Sequence, residues 1–371
     1  MERISIYQLL TLTVFFQLGT SAIFGFSSSA GRDAWLAILI CTVLGMAIIL
    51  MYIALMKLNP GLTLVEWFPT QFGRWLGMPI AWLYPLLFLY VTGRVLADIK
   101  STIPDTLLPG TPSWFIVLTL LLVIIFCVYS GIEVLGRLTE YLLPIMLLIF
   151  IIEIILLFSS GVVHLNYILP VLGKGWGNVW NGIWPTGITQ TFAETLTIAM
   201  IWPLVQHTKK IGKVTIIATL ITGAVLVSFS LMGVAVLGED ITGRTMYPVY
   251  LLMKQISIAD FFENLDAIVS LNMIVTAYIK VTIYFFAAVR SIQLLLNMSS
   301  SRRLVLPVAF VTYSLGMTMA TNINEHLYVG IHIFPLTVWV PLLIVLPTVL
   351  FIVTLIRKKW TNWQKAQLGR S

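Results

Sequence analysis

Gly19-Thr20-Ser21-Ala22-Ile23-Phe24-Gly25 and Gln190-Thr191-Phe192-Ala193-Glu194-Thr195 decide how this chain folds. Each interrupts an apolar stretch long enough to cross a bilayer, from about 5 to 30 and from about 182 to 206. The first is a run of small and hydroxylic residues. The second carries a carboxylate near mid-membrane. Irregular backbone and buried charge are both costly in hydrocarbon, and they persist only where protein or a watery cavity surrounds them. Two such interruptions, five spans apart in one chain, point to a binding site of the transporter type.

The residues themselves explain the interruptions. Gly19 and Gly25 lack a Cβ and tolerate non-helical dihedrals. Thr20 and Ser21 offer hydroxyls to the backbone groups that unwinding frees. The freed N–H end attracts a carboxylate, and the freed C=O end attracts an ammonium or a cation. A zwitterionic amino acid suits both. Close helix packing through small residues accounts equally well for the first stretch alone. The carboxylate in the second favours a site.

Working outward, the composition is that of an integral membrane protein. Hydrophobic residues make up 59% of the 371 and charged residues 10%. Mean hydropathy is +0.97. Soluble domains carry roughly 25% charged residues. Low charge throughout predicts one polytopic domain over residues 1–371, which ends in a basic cytoplasmic tail at 357–371. The N-terminal apolar stretch is too long for a signal peptide and reads as an uncleaved first span. Cys41 and Cys127 both fall in apolar runs and read as packing residues.

Apolar runs predict about ten helices. They lie near 5–30, 34–56, 78–99, 113–130, 139–160, 182–206, 212–237, 264–290, 303–323 and 334–356. Of the 22 Lys and Arg residues, fifteen fall on one side of this arrangement, five on the other and two, Arg94 and Lys280, within spans. The positive-inside rule then places both termini in the cytoplasm. The net charge of +7 is thereby a topology and lipid-headgroup signal, not a nucleic-acid one. Pro60–Gly77 reads as an amphipathic helix at the cytoplasmic interface, and Tyr247–Ile258 as a short outer helix. Spans six to ten begin outside, opposite to spans one to five. With breaks in the first helix of each half, the expected fold is all-α with a LeuT-like 5+5 inverted repeat, its halves about 1–160 and 175–356.

Several stretches resemble a known family. Gly19-Thr20-Ser21-Ala22-Ile23-Phe24-Gly25 is similar to the Gly-Ser-Gly-Ile-Phe region of the amino acid–polyamine–organocation superfamily. More specific features resemble the B subunit of spore nutrient germinant receptors, the GerAB type. These are Ile4-Ser5-Ile6-Tyr7-Gln8 leading into span one, and Leu169-Pro170-Val171-Leu172-Gly173-Lys174-Gly175 before span six. Phe192-Ala193-Glu194 resembles that family's Phe-Gly-Glu, and Trp202-Pro203 closes the span before the basic Lys209-Lys210 loop. The family's Glu-Arg pair ahead of span eight is replaced here by Phe262-Glu263-Asn264-Leu265-Asp266. The resemblance implies a subunit in the inner membrane of a bacterial spore. It implies assembly with a larger A-type and a lipoprotein C-type subunit, and recognition of a small nutrient such as an amino acid.

The breaks supply the candidate ligand-binding residues: Gly19, Thr20, Ser21, Ala22, Gly25, Phe192, Glu194 and Thr195. Glu194 suits a ligand ammonium or a proton, or braces the unwound segment. Lys280 shares a helix face with Thr276 and Tyr284. It pairs with Glu194 or Glu153, imitates the cation of an ion-coupled relative, or snorkels to the interface. Arg94 and Asp98, spaced i,i+4, read as a local ion pair that lines an outer vestibule with Tyr90. Glu153 is an isolated carboxylate within span five. The four histidines match no metal motif, and no nucleophile motif, P-loop or dinucleotide fingerprint appears. No catalysis, metal or cofactor is expected. The expected function is a receptor subunit on a transporter fold. A proton- or cation-coupled amino-acid transporter and a scaffold or channel-like subunit are the alternatives.

Overall fold

The computed structural model describes residues 3–21, 23–25, 27–256, 265–319 and 322–368. Helix α1 spans Ile6–Leu18, and a capping box starts it. Ser5 Oγ accepts from the Gln8 N–H at 3.0 Å, and Gln8 Oε1 accepts from the Ser5 N–H at 2.9 Å. The helix stops at Gly19, whose φ of 31° lies outside the helical region. The described residues beyond Gly19 form tight turns rather than a second half-helix. They lead to a single 3-10 stretch, Ser28–Asp33, with a reversal at Gly31. Helix α2, Ala34–Leu58, begins directly after it.

Helix α3, Leu64–Thr106, opens with a second capping box, in which Glu66 accepts from the Thr63 N–H at 2.8 Å. A kink at Gly73 separates its first turns from the long membrane stretch. Those first turns correspond to the expected interfacial helix, but their aromatic face turns inward. Trp67 and Phe68 are fully buried, against Trp202 and Tyr84, while Trp75 stands exposed. Helices α4, Ser113–Ser130, and α5, Ile132–Ser159, complete the first half.

The sixth stretch is discontinuous along its whole course. Two short helices, α6 at Trp176–Ile183 and α7 at Thr186–Thr189, precede a non-helical bend at 190–192. A 3-10 helix, Ala193–Met200, then leads to Trp202–Leu204. Helix α8, Ile211–Arg244, kinks at Gly238. A short helix stands within the expected 247–258 stretch as α9, Pro248–Met253. Its expected end at 257–258 lies outside the described residues, as do Phe262, Glu263 and Asn264.

Helix α10, Leu265–Leu295, lies along α3, and α11, Arg302–Thr318, packs on α3 and α4. The stretch expected to loop between spans nine and ten is instead helical. It contains α12, Ile323–Tyr328, and a π-helical segment, Val329–Ile333, which leads into the expected tenth span, a second π-helical segment, Pro335–Val345, followed by α13, Leu346–Leu368. Among the described residues, seven helices are long and apolar enough to cross a membrane. The bent pair Arg302–Thr318 and Ile323–Ile333 makes an eighth. The two interrupted stretches are not among them. Cys41 and Cys127 are buried free thiols, as expected.

Candidate functional site

The two interrupted stretches lie side by side, and their contacts follow one another in antiparallel order, although the bridge at Ile4 and Val205 is locally parallel. At one end, Ile4 donates to the Leu204 carbonyl at 3.0 Å and accepts from the Gln206 N–H at 3.1 Å. In the middle, Gln17 Nε2 donates to Thr195 Oγ1 at 2.9 Å, and Ser21 and Thr191 share a hydroxyl–hydroxyl bond of 2.6 Å. At the other end, Ser27 Oγ donates to the Gly182 carbonyl at 2.9 Å and Asn178 Nδ2 to the Ala30 carbonyl at 2.7 Å. Side-chain hydroxyls and amides therefore do between these segments what a continuous helix does within itself.

A cavity of about 490 Å³ opens where the two breaks meet. Thr20, Ser21, Gly25, Gln190 and Glu194 line it from the breaks, and Arg94, Asp98 and Lys280 from α3 and α10. The inner end is an ion pair: Lys280 Nζ lies 2.6 Å from Glu194 Oε2, and both side chains are 3% exposed. The lysine also reaches the Gln190 carbonyl at 3.5 Å and sits 5.7 Å from the centre of the Phe16 ring. Tyr284, fully buried, follows Lys280 by one turn on the same helix. Of the partners open to Lys280, the structure selects Glu194, and the side chain does not snorkel. Gly19 makes room for this arrangement. A Cβ there would overlap Lys280 Cδ, and Thr276 Oγ1 donates to the Gly19 carbonyl at 3.0 Å.

The outer end is organised differently. Asp98 Oδ1 lies 2.8 Å from His326 Nε2, and both are buried. The two terminal nitrogens of Arg94 each lie 3.4 Å from the His326 carbonyl oxygen. Among the described residues no ion pair joins Arg94 to Asp98. The expected local pair is replaced because His326, carried inward on α12, takes the aspartate.

Not every residue of the breaks faces the cavity. Phe192 is fully buried away from it and packs on Gly45 of α2, where even a methyl group would collide with its ring. Thr195 is held by Gln17. Both are braces in this geometry. Tyr90 stacks on Phe334 at 4.5 Å, behind the lining. Glu153 borders a separate void of about 40 Å³ with Leu18, Asn272 and Thr276. Ala22 lies outside the described residues. Sequence reasoning missed Gln190, Trp184, Thr186, His332 and Trp339 as lining residues and His326 as the partner of Asp98. The glycine at 330, within a stretch holding two histidines, was the signal available for the last group.

Fold and site together define a helical, polytopic membrane protein built around a polar, charge-lined cavity between two interrupted segments. The chain belongs to the spore germination protein family, which it matches over residues 3–325. It is 30% identical to spore germination protein KB of Bacillus subtilis (strain 168) over 98% of both chains. Spore germination protein YndE of the same organism is 27% identical over 69% of this chain and 70% of its own. Spore germination protein XB of Bacillus anthracis is 22% identical over 69% of this chain and 71% of its own.

Proposed function

We propose that this chain is the membrane subunit of a spore germinant receptor and that it holds a small nutrient, an amino acid, between its two broken segments. The observation that carries this is the shared cavity on which both interruptions open. Its volume of about 490 Å³ falls within the range of small-molecule sites, about 300–1,000 Å³. Two acids and two bases on its wall suit a zwitterion.

The antiparallel pairing of the two segments supports a 5+5 inverted repeat with halves about 1–160 and 175–356. Counting both interrupted segments as crossings brings the seven long helices and the bent pair to ten. The excess of Lys and Arg on one side supports cytoplasmic termini. The resemblance to germinant receptor B subunits supports residence in the spore inner membrane with A-type and C-type partner subunits. Lys280 favours a sensor over a pump coupled to a mobile metal cation, because it holds a cation of the chain's own against Glu194. A sensor needs only different ligand affinity in two states of its complex.

Two measurements test this reading. Purified chain in proteoliposomes is expected to show no concentrative uptake of labelled amino acids, and robust uptake would establish the transporter instead. Spores carrying Glu194→Gln at normal protein level are expected to need about tenfold more nutrient for the same response, or about 1.4 kcal/mol. An unchanged dose response would remove Glu194 from the site.

A further inference from the structure

A carboxylate entering a broken-helix site ordinarily finds free backbone N–H groups. Here the first break spends most of those described on itself. Gly19 N donates to Phe15 O at 2.8 Å, Ser21 N to Leu18 O at 2.9 Å, and Ile23 N and Phe24 N to Thr20 O at 3.0 and 3.3 Å. In the second, Gln190 N donates to Thr186 O at 3.0 Å and Thr195 N to Phe192 O at 3.2 Å, whereas Ala193 and Glu194, at the start of their 3-10 helix, have N–H groups with no backbone acceptor. An N–H with a good acceptor has little left for a ligand oxygen.

Arg94 has the opposite character. It is 7% exposed, lines the cavity, and carries five donors. Its bonds to the His326 carbonyl are long, at 3.4 Å, and both go to one oxygen. The acid one turn away, Asp98, gives Oδ1 to His326. Among the described residues no carboxylate lies within ion-pair reach of Arg94. Lys280, the other cation on the wall, is already held by Glu194. The backbone opposite is shaped for the guanidinium, because a Cβ on Gly330 would overlap its Nη2. A buried guanidinium without an anion is costly, and its planar fork matches a carboxylate in two parallel bonds.

We infer that Arg94 receives the carboxylate of the bound nutrient. The inference rests on the proposed nutrient cavity and narrows it. The ligand class is a small solute with a free carboxylate, above all an α-amino acid, and not a neutral sugar or a simple amine. Its ammonium is left to the acids and hydroxyls on the rest of the wall.

The test is thermal stabilisation of the purified receptor complex by each common L-amino acid beside its C-terminal amide. The expected result is that at least one amino acid stabilises the wild-type complex while its amide does not. Arg94→Gln should weaken that amino acid by about a hundredfold, and Arg94→Lys by less. An amide that stabilises as well as its acid overturns the role of Arg94 and leaves the cavity reading standing. So does full affinity in Arg94→Gln. No stabilisation of wild type by either series overturns the cavity reading and the role of Arg94 with it. If Arg94→Gln does not fold, the acid–amide comparison on wild type decides alone.

Discussion

The inner and outer ends of the cavity each carry one acid and one base, yet they use them in opposite ways. At the inner end Glu194 and Lys280 meet directly at 2.6 Å. At the outer end Asp98 turns to His326 and leaves Arg94 without a carboxylate among the described residues. The inner pair cancels its own charge within the protein and holds the breaks in place. The outer cation makes no direct contact with an anion among the described residues. One end of the site is thus built as structure and the other as a receptor, from the same residue chemistry.

The largest expected effect comes from separating these roles by truncation. Lys280→Met leaves a buried carboxylate alone and should destabilise the protein by about 3–5 kcal/mol, the usual cost of breaking a buried pair. The double variant Lys280→Met with Glu194→Gln should recover most of that loss, since it removes both charges. Arg94→Met should leave the unliganded protein as stable as wild type or more so, because it removes a buried charge that touches no internal anion. Unfolding midpoints of the four proteins in one detergent measure all three. A large loss in Arg94→Met would show that the outer end is structural too, and the comparison would collapse.

Gly19 tests the inner end from the backbone side. Its φ of 31° and the Lys280 methylene beside it leave no place for a Cβ. Gly19→Ala should cost about 1–3 kcal/mol, the range for a strained backbone position, read again as a midpoint shift. If its loss persists in the Lys280→Met, Glu194→Gln background, the strain lies in the backbone. If it shrinks there, the collision with Lys280 dominates.

Much of this was legible in the sequence because the signals were exceptions to a membrane rule. Glycines, hydroxyls and a carboxylate in the middle of apolar runs mark the two breaks, and the structure breaks there. Direction was not legible. Adjacent residues of a tight helix point roughly a third of a turn apart, so Glu194 faces the cavity while Phe192 packs on Gly45 and Thr195 bonds Gln17. Whether Lys280 met Glu194 or Glu153 also depended on packing across helices. The outer end was hidden for another reason. Residues 323–333 mix apolar and polar residues and read as a connection, yet they form a helix that carries His326 to Asp98 and Gly330 to Arg94. The expected Arg94–Asp98 pair came from spacing on one helix, and a third residue from a distant element changed the partner.

The smallest expected effect concerns what joins the two ends. Ser21 and Thr191 share one bond of 2.6 Å at the point where the breaks face each other. Either Ser21→Ala or Thr191→Val should cost about 1 kcal/mol in stability, the ordinary net value of one hydrogen bond. The double variant should cost less than the sum of the two, because the second substitution removes a group that the first has already left unpaired. Additive losses would mean that each hydroxyl has its own separate partner, and that the breaks are not coupled at this point. The same pair sharpens the contrast between the ends. Ser21 lines the cavity, so a ligand held by Arg94 should tighten the bond and enlarge the coupling energy measured with ligand present. A coupling energy unchanged by ligand would confine this bond to the structural end of the site.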